Sequence, residues 1–437
     1  PISDLLRDAL KLNSREAGDK YTHWMVCDFE NAFFKVPLHY AEQHFFCTKH
    51  QDKIYVWLRV GQGSQDGPTL YGRLGAMTGR SSQSLLNEDE ALLQLYCDDP
   101  ITTILATPRR ARRIAAILIT WWLIVGFDMS FHKGQFGQKV DWVGYTIQSA
   151  PEKVLISIKE AFMKDLASST AELMKRNFIK IKDLRSFTGC ANHVANLLFS
   201  WRPFLNTLWA ATGSRQKRSH KKTRARPGTV WTKQVASTLK WIRCFLASER
   251  GSLVREWNIS WYNEPLATLR MVLDASPWGL GGILYDQGVP VSYFHEALTT
   301  HDERVLSTKR GIADGQQVWE CLCLLVALRI WSSWWLPRRS AIAIRSDNKT
   351  AIAMAATLKG TGTCNIIARE LAMIYAHSSF QPKVVEHLPG LANVAADALS
   401  RLHEPGAHYA IPDELLGLSP VPVPVRDERY YRTLATE

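Results

Sequence analysis

Two adjacent aspartates, Asp98 and Asp99, follow the apolar run Gln94-Leu95-Tyr96-Cys97, and a third, Asp28, closes another, Trp24-Met25-Val26-Cys27. Carboxylates side by side repel, so such a pair is costly unless a cation neutralises it. Three of them at two strand ends suit nucleotidyl transfer. That reaction uses two divalent ions roughly 4 Å apart, one activating the attacking 3′ hydroxyl and one holding the triphosphate, each surrounded by hard oxygen ligands. An Asp-Asp step by itself reads more readily as a hydrophilic turn between strands. A second set of acids is more dispersed. Asp274 closes the run Leu269–Leu273, Glu320 lies in an apolar helical stretch, Asp347 follows Ala341–Arg345, and Asp397 stands in a helical stretch after His387. Four carboxylates around two metals would hydrolyse one strand of a nucleic acid duplex; singly, each would be an ordinary surface acid.

The elements that must position these groups follow from period and punctuation. Residues 21–150 read as an α/β unit, with strands at the two apolar runs, a glycine-rich loop Gly61–Gly67 and a helix from Pro68. An Arg-rich then apolar helix Pro108–Val125 follows, then a basic loop through Lys133 and a strand Trp142–Ile147. Residues 151–265 read as mainly helical, broken by an exposed basic linker carrying Arg215, Lys217, Arg218, Lys221, Lys222, Arg224 and Arg226. A second α/β unit begins at Leu269, with a glycine-rich hairpin at Gly279–Gly282, helices Val318–Trp331, Asn365–Ala376 and Val394–Leu402, and a strand Ala341–Arg345. The stretch Ser419–Val425 alternates Pro with Val and favours an extended polyproline conformation.

The 437 residues exceed what one core organises, and 46% hydrophobic content excludes a largely disordered chain. The net charge of +12 is not spread evenly: residues 151–265 hold 21 basic and 8 acidic side chains, a net of +13, which leaves −1 elsewhere. A basic middle between acid-bearing flanks suits a polyanion track between two metal sites, although a solvated basic face reads as well from charge alone. The eight cysteines are scattered, so free thiols in a reducing, intracellular compartment (cytoplasm or nucleus) are expected. No apolar run is long enough for a confident membrane span. The chain opens at Pro1 without Met, so an excerpt of a longer polyprotein is expected.

The order Asp28-Phe29-Glu30-Asn31-Ala32-Phe33, Gln62-Gly63 with Gly67-Pro68, Tyr96-Cys97-Asp98-Asp99, Lys133 and Val143-Gly144-Tyr145 resembles the successive motifs of reverse transcriptases. The tract His387-Leu388-Pro389-Gly390, Asn393, Ala396-Asp397-Ala398-Leu399-Ser400-Arg401 resembles ribonuclease H of long-terminal-repeat and DIRS-like, tyrosine-recombinase retroelements. Together they imply a Pol polyprotein fragment: an RNA-directed DNA polymerase followed by a ribonuclease H.

The resemblance implies that Asp28, Asp98 and Asp99 bind two Mg²⁺ (or Mn²⁺) ions. Phe33 would be the aromatic gate against a ribose 2′ hydroxyl, Gln62 would touch the incoming deoxynucleoside triphosphate and Lys133 its phosphates. For Phe33, ordinary core packing explains the residue equally well. In the second unit it implies Asp274, Glu320, Asp347 and Asp397 as ligands of two more ions, with His387 a mobile loop histidine. Partners would be an RNA template, a DNA primer and their hybrid. The implied fold is an α+β and α/β multidomain chain: a right-hand polymerase palm with truncated fingers (1–150), a basic helical thumb and connection (151–265), a ribonuclease H-like α/β domain (266–403) and an extended Pro-rich tail (404–437). Pro100 departs from the motif and, lacking an N–H, is expected to disturb the hairpin that presents the aspartates.

Overall fold

A computed structural model describes residues 2–14, 18–213, 228–259, 269–335, 342–376, 384–387, 393–406 and 408–431. The basic cluster Arg215, Lys217, Arg218, Lys221, Lys222, Arg224 and Arg226 lies outside the described residues. The chain divides into two compact units, residues 1–159 with 256–263, and residues 160–255 with 264–437.

The first unit is built on a four-stranded antiparallel sheet in the order β2, β3, β1, β4, formed by β1 (Tyr21–Val26), β2 (Ala91–Tyr96), β3 (Asp99–Ala106) and β4 (Gln135–Gly137). The central strands β1 and β3 are buried along nearly their whole length, as their mainly apolar and threonine composition, interrupted by His23 and Asp99, allows. Helix α1 (Ile2–Asn13) buries Leu5, Ala9 and Leu12 at helical spacing and packs on β2 and β3. Helix α2 (Gly67–Gln83) starts at its proline, as expected, and α3 (Pro108–Ile124) buries Ala111, Ile114, Ala115, Leu118 and Trp122. These join Met25, Phe29, Tyr71 and Phe127 in one core. A buried hydrogen bond from Trp122 Nε1 to Ser82 Oγ, 2.9 Å, ties α3 to α2.

Two local readings change. The single strand expected at 142–147 is two, β5 (Lys139–Trp142) and β6 (Tyr145–Ala150), joined by Val143-Gly144 at φ +47° and +83°. That is the left-handed two-residue turn favoured between twisted strands, and Val143 carries no turn signature to reveal it. The stretch between Phe33 and the glycine-rich loop, left unassigned by sequence, contains a hairpin, Cys47–His50 with Lys53–Val56, all of it exposed. Strand β7 (Lys153–Ile158) pairs with β6.

The second unit begins with helices α4 (Glu160–Lys175), α5 (Ile181–Leu197), α6 (Arg202–Gly213) and α7 (Ala236–Leu246). A five-stranded sheet follows in the order β10, β9, β8, β11, β12, comprising β8 (Leu269–Ala275), β9 (Gly279–Asp286), β10 (Val289–Ala297), β11 (Ala343–Ser346) and β12 (Val384–His387). The first three form an antiparallel meander; β11 and β12 run parallel to β8. Helix α8 (Thr300–Leu306) opens with a capping box between Thr299 and Asp302. Helix α9 (Gln316–Ile330) is buried on every side from Trp319 to Leu328, so it is the central helix of this unit. Helices α10 (Lys349–Thr357), α11 (Cys364–Ala376) and α12 (Val394–Arg401) complete it. The expected glycine hairpin is corrected here: Gly279–Gly282 lie inside β9, and the turn before them is Ser276–Trp278.

Residues 419–426 form neither helix nor strand and are held within the second unit. Val421 N donates to Tyr293 O at 2.8 Å, and Arg426, 3% exposed, forks onto the fully buried Asp302 at 3.1 and 3.0 Å.

Candidate active sites

Two backbone hydrogen bonds place Asp28. Just past β1, Cys27 N donates to Pro100 O (3.1 Å) and Phe29 N donates to Asp98 O (2.9 Å), so Asp28 is bracketed against the β2–β3 hairpin. That hairpin turns at Cys97-Asp98, with Cys97 at φ +54°, and pairs Tyr96 with Asp99 and Leu95 with Pro100. The disturbance expected of Pro100 does not occur. Tyr96 and Asp99 close the turn as a hydrogen-bonded pair, so Leu95 and Pro100 form the next, non-bonded pair and β2 asks nothing of the missing N–H. Trp142 Nε1 supports the turn from behind by donating to Asp99 O, 3.0 Å.

Lys133 closes a short 3-10 turn, Phe131–Lys133, and its Nζ donates to both oxygens of Asp28, at 3.1 and 3.0 Å. The Asp28 hydrogen bond and charge raise the Lys133 pKa. Asp99 is pushed up to about 6, chiefly by burial, then by Asp98 and Asp28, against the pull of Lys133 and Lys159. Asp28, Asp98 and Asp99 are therefore neighbours electrostatically, but their oxygens do not all converge within 4.8 Å, as a second group of acids does. Phe33 stacks on Tyr71, with centroids 4.9 Å apart and planes 26° apart, at the edge of the core. Gln62 is exposed in the turn before α2.

That second group is Asp274, Glu320 and Asp347, which bring one oxygen each to within 4.8 Å of the others. The parallel register of β8 and β11 sets the ends of both strands side by side, so Asp274 near one end and Asp347 just past the other become neighbours. Helix α9 delivers Glu320, 3% exposed. One of its oxygens accepts from Gln316 Nε2 (3.1 Å), while Oε2 is buried with no hydrogen-bond partner. Burial first, then Asp274 and Asp347, drive the Glu320 pKa well above the usual carboxylate range. Burial likewise pushes Asp274 up to about 7, opposed by the hydroxyl of Ser400. An orphaned carboxylate oxygen facing two other acids in a buried site suits a hard divalent cation, which satisfies oxygens and offsets repulsion together.

Asp397 is not in this group of three; its carboxylate is held by Arg401 Nε at 2.7 Å, one turn along α12. The helix still serves the site. Ser400 Oγ donates to Asp274 Oδ2 (2.7 Å) and Asn393 Nδ2 to Asp274 Oδ1 (3.2 Å). His387 ends strand β12 opposite Ser346, so its backbone is not in a loop. Gln316, one turn before Glu320, is the site residue that sequence reasoning missed; the shared helix face was the available signal.

Gly281 makes the approach of α12 possible. A Cβ there would lie 2.6 Å from Ser400 N and 2.7 Å from Ala396 O, both rigid backbone. Gly281→Ala should push α12 off the sheet, costing about 1–3 kcal/mol and breaking the Ser400 and Asn393 bonds to Asp274. Chemical denaturation checks this, and a wild-type midpoint would refute the close-approach account.

Residues 3–147 match the family model described as reverse transcriptase (RNA-dependent DNA polymerase). No curated protein matches the chain. Among solved structures, it is similar to foamy viral protease-reverse transcriptase in complex with double-stranded DNA, at 17% identity and TM-score 0.42, covering 78% of this chain and 52% of that one. It is similar also to the foamy viral enzyme in complex with RNA/DNA hybrid, at 16% identity and TM-score 0.41, covering 92% and 47%. The chain thus spans about half the length of these structures. Among the described residues, no helix is long and apolar enough to cross a membrane.

Proposed function

We propose that the chain carries out RNA-directed DNA synthesis in its first unit and hydrolyses RNA in RNA–DNA hybrids in its second, as the polymerase and ribonuclease H portion of a long-terminal-repeat or DIRS-like retroelement. The observation that carries the nuclease reading is the buried group Asp274, Glu320 and Asp347, with its unpartnered Glu320 oxygen. When bound there, a pair of Mg²⁺ ions supplies an activated water and charge neutralisation at the scissile phosphate. Asp274 and Asp347 hold ligand oxygens at paired strand ends, Glu320 faces them from α9, and Ser400 and Asn393 orient Asp274. Asp397 joins as a fourth ligand by leaving Arg401.

For synthesis, Asp28, Asp98 and Asp99 would supply the carboxylates and Phe33, five residues after Asp28, would act as the sugar gate. Gln62 meets the incoming deoxynucleoside triphosphate. Lys133, now on Asp28, would serve the phosphates of the incoming nucleotide. The basic stretch Arg215–Arg226 would hold template and primer by their phosphates, with affinity falling steeply as salt rises. A second reading is a catalytically decayed polymerase half beside a competent nuclease.

The test is incubation of the chain with Mg²⁺ and a labelled RNA–DNA hybrid, with and without primer and deoxynucleotides. Hybrid cleavage and primer extension, each abolished by its own Asp274→Asn or Asp98→Asn change, is the expected result. Cleavage without extension selects the second reading, and neither activity overturns both.

A further inference from the structure

The turn that carries Lys133 is also one wall of an open pocket of about 330 Å³ at the surface of the first unit. Its walls are apolar: Met25 and Cys27 of the segment leading to Asp28, Ala115 and Ile119 of α3, Met129, and Phe136 of β4. The volume falls in the range of small-molecule sites, roughly 300–1,000 Å³. Polar groups at the lining are few, and Arg112 is the charged one. Arg112 is exposed, and no carboxylate of the described residues pairs with it, whereas Arg110 is engaged by Glu90 at 2.7 Å. Arg109 and Arg113 stand exposed beside it on α3. An apolar pocket with an unpaired guanidinium matches a molecule with an apolar body and one acidic group.

We propose that this pocket binds amphipathic carboxylates with an unbranched apolar chain, the acid group on Arg112 and the chain against Met25, Ala115 and Met129. The occupant would also touch Ser130 and Phe131. Ser130 N donates to Asp28 O (3.0 Å) and Ser130 O accepts from Lys133 N (2.9 Å), so the contacted residues link Asp28 to Lys133. Occupancy therefore holds the turn in the arrangement that keeps Lys133 on Asp28. That consequence, slower primer extension, rests on the polymerase reading above; binding itself does not.

The experiment is calorimetric titration of the full chain with decanoate and with decanol, below their aggregation concentrations. Decanoate should bind the wild-type chain at least tenfold more tightly than decanol. Arg112→Gln should erase that preference while leaving decanol unchanged. Ala116→Trp, at an exposed position lining the pocket, should weaken both at least tenfold. Thermal melts verify folding, and Phe131→Ala, at a lining residue 63% exposed, replaces Ala116→Trp if that variant does not fold. Equal binding of both probes to wild type, a preference that survives Arg112→Gln, or affinity untouched by a change in the lining overturns the site. Tight decanoate binding with unslowed primer extension overturns the coupling to Lys133. Binding to a chain that extends no primer leaves the pocket standing and removes the polymerase reading alone.

Discussion

Asp274→Asn should lower cleavage of the RNA strand of a hybrid by two to three orders of magnitude or more, and should at the same time raise the melting temperature of the metal-free protein at pH 8. The first effect follows from removing a ligand oxygen of the buried acid group. The second follows from burial, which lifts the Asp274 pKa from 3.8 to about 7. The sign follows from linkage. Below pH 4 the carboxyl is neutral in both folded and unfolded chains and costs nothing. Between about pH 4 and 7 the unfolded chain ionises while the folded one resists, so stability is lost as pH rises; above about 7 the loss is complete. Asparagine never ionises, yet keeps an oxygen for Ser400 Oγ. Its stabilisation should therefore be present at pH 8 and absent at pH 4. Mg²⁺ should raise the wild-type melting temperature, increasingly so as pH rises towards 8, and raise that of Asp274→Asn less. A variant that melts lower by the same margin at both pH values would contradict the burial account, and retained cleavage would remove Asp274 from the active site.

Arg426→Ala should destabilise the second unit by about 3–5 kcal/mol, because it strands the fully buried Asp302 without its counter-charge. Arg426 also donates to Ala297 O at 2.6 Å, and Tyr431 Oη donates to Asp302 at 2.8 Å, so the chain end is fastened at more than one point. Asp302 in turn caps α8, which ties the loss of the pair to the loss of that helix start. Removing both charges with Arg426→Ala and Asp302→Ala should recover part of the loss, since an unpaired buried charge costs more than an absent pair. Calorimetric melting of the two single variants and the double variant measures this. A double variant weaker than the sum of the singles would show that the segment is held by something other than charge pairing.

How much of this molecule is legible in its sequence depends on the range of the interactions. The strands ending near Asp28 and Asp98, helix α2 from its proline, the Arg-then-apolar helix α3 and the helical middle all follow from local pattern, and the structure contains them. Local pattern failed where a turn residue lacks turn chemistry, as at Val143, or where a glycine serves a neighbour rather than a turn, as at Gly281. The acids were named from type and order. Their grouping was not readable: Asp274, Glu320 and Asp347 lie far apart in sequence and meet only through the parallel pairing of β8 with β11 and the crossing of α9.

By itself, then, the sequence determined many of the strands and helices and which carboxylates stand at their ends. These are properties of residues within a turn or two of one another, governed by backbone sterics and hydrophobic period. The tertiary structure alone decided that Lys133 sits on Asp28, that Glu320 keeps an unpartnered oxygen beside two other acids, that Asp397 is held by Arg401, and that Arg426 is buried against Asp302. Charge pairing and desolvation depend on which groups the packed chain brings within a few ångströms and which it shields from water. Neither distance along the chain nor residue type encodes that.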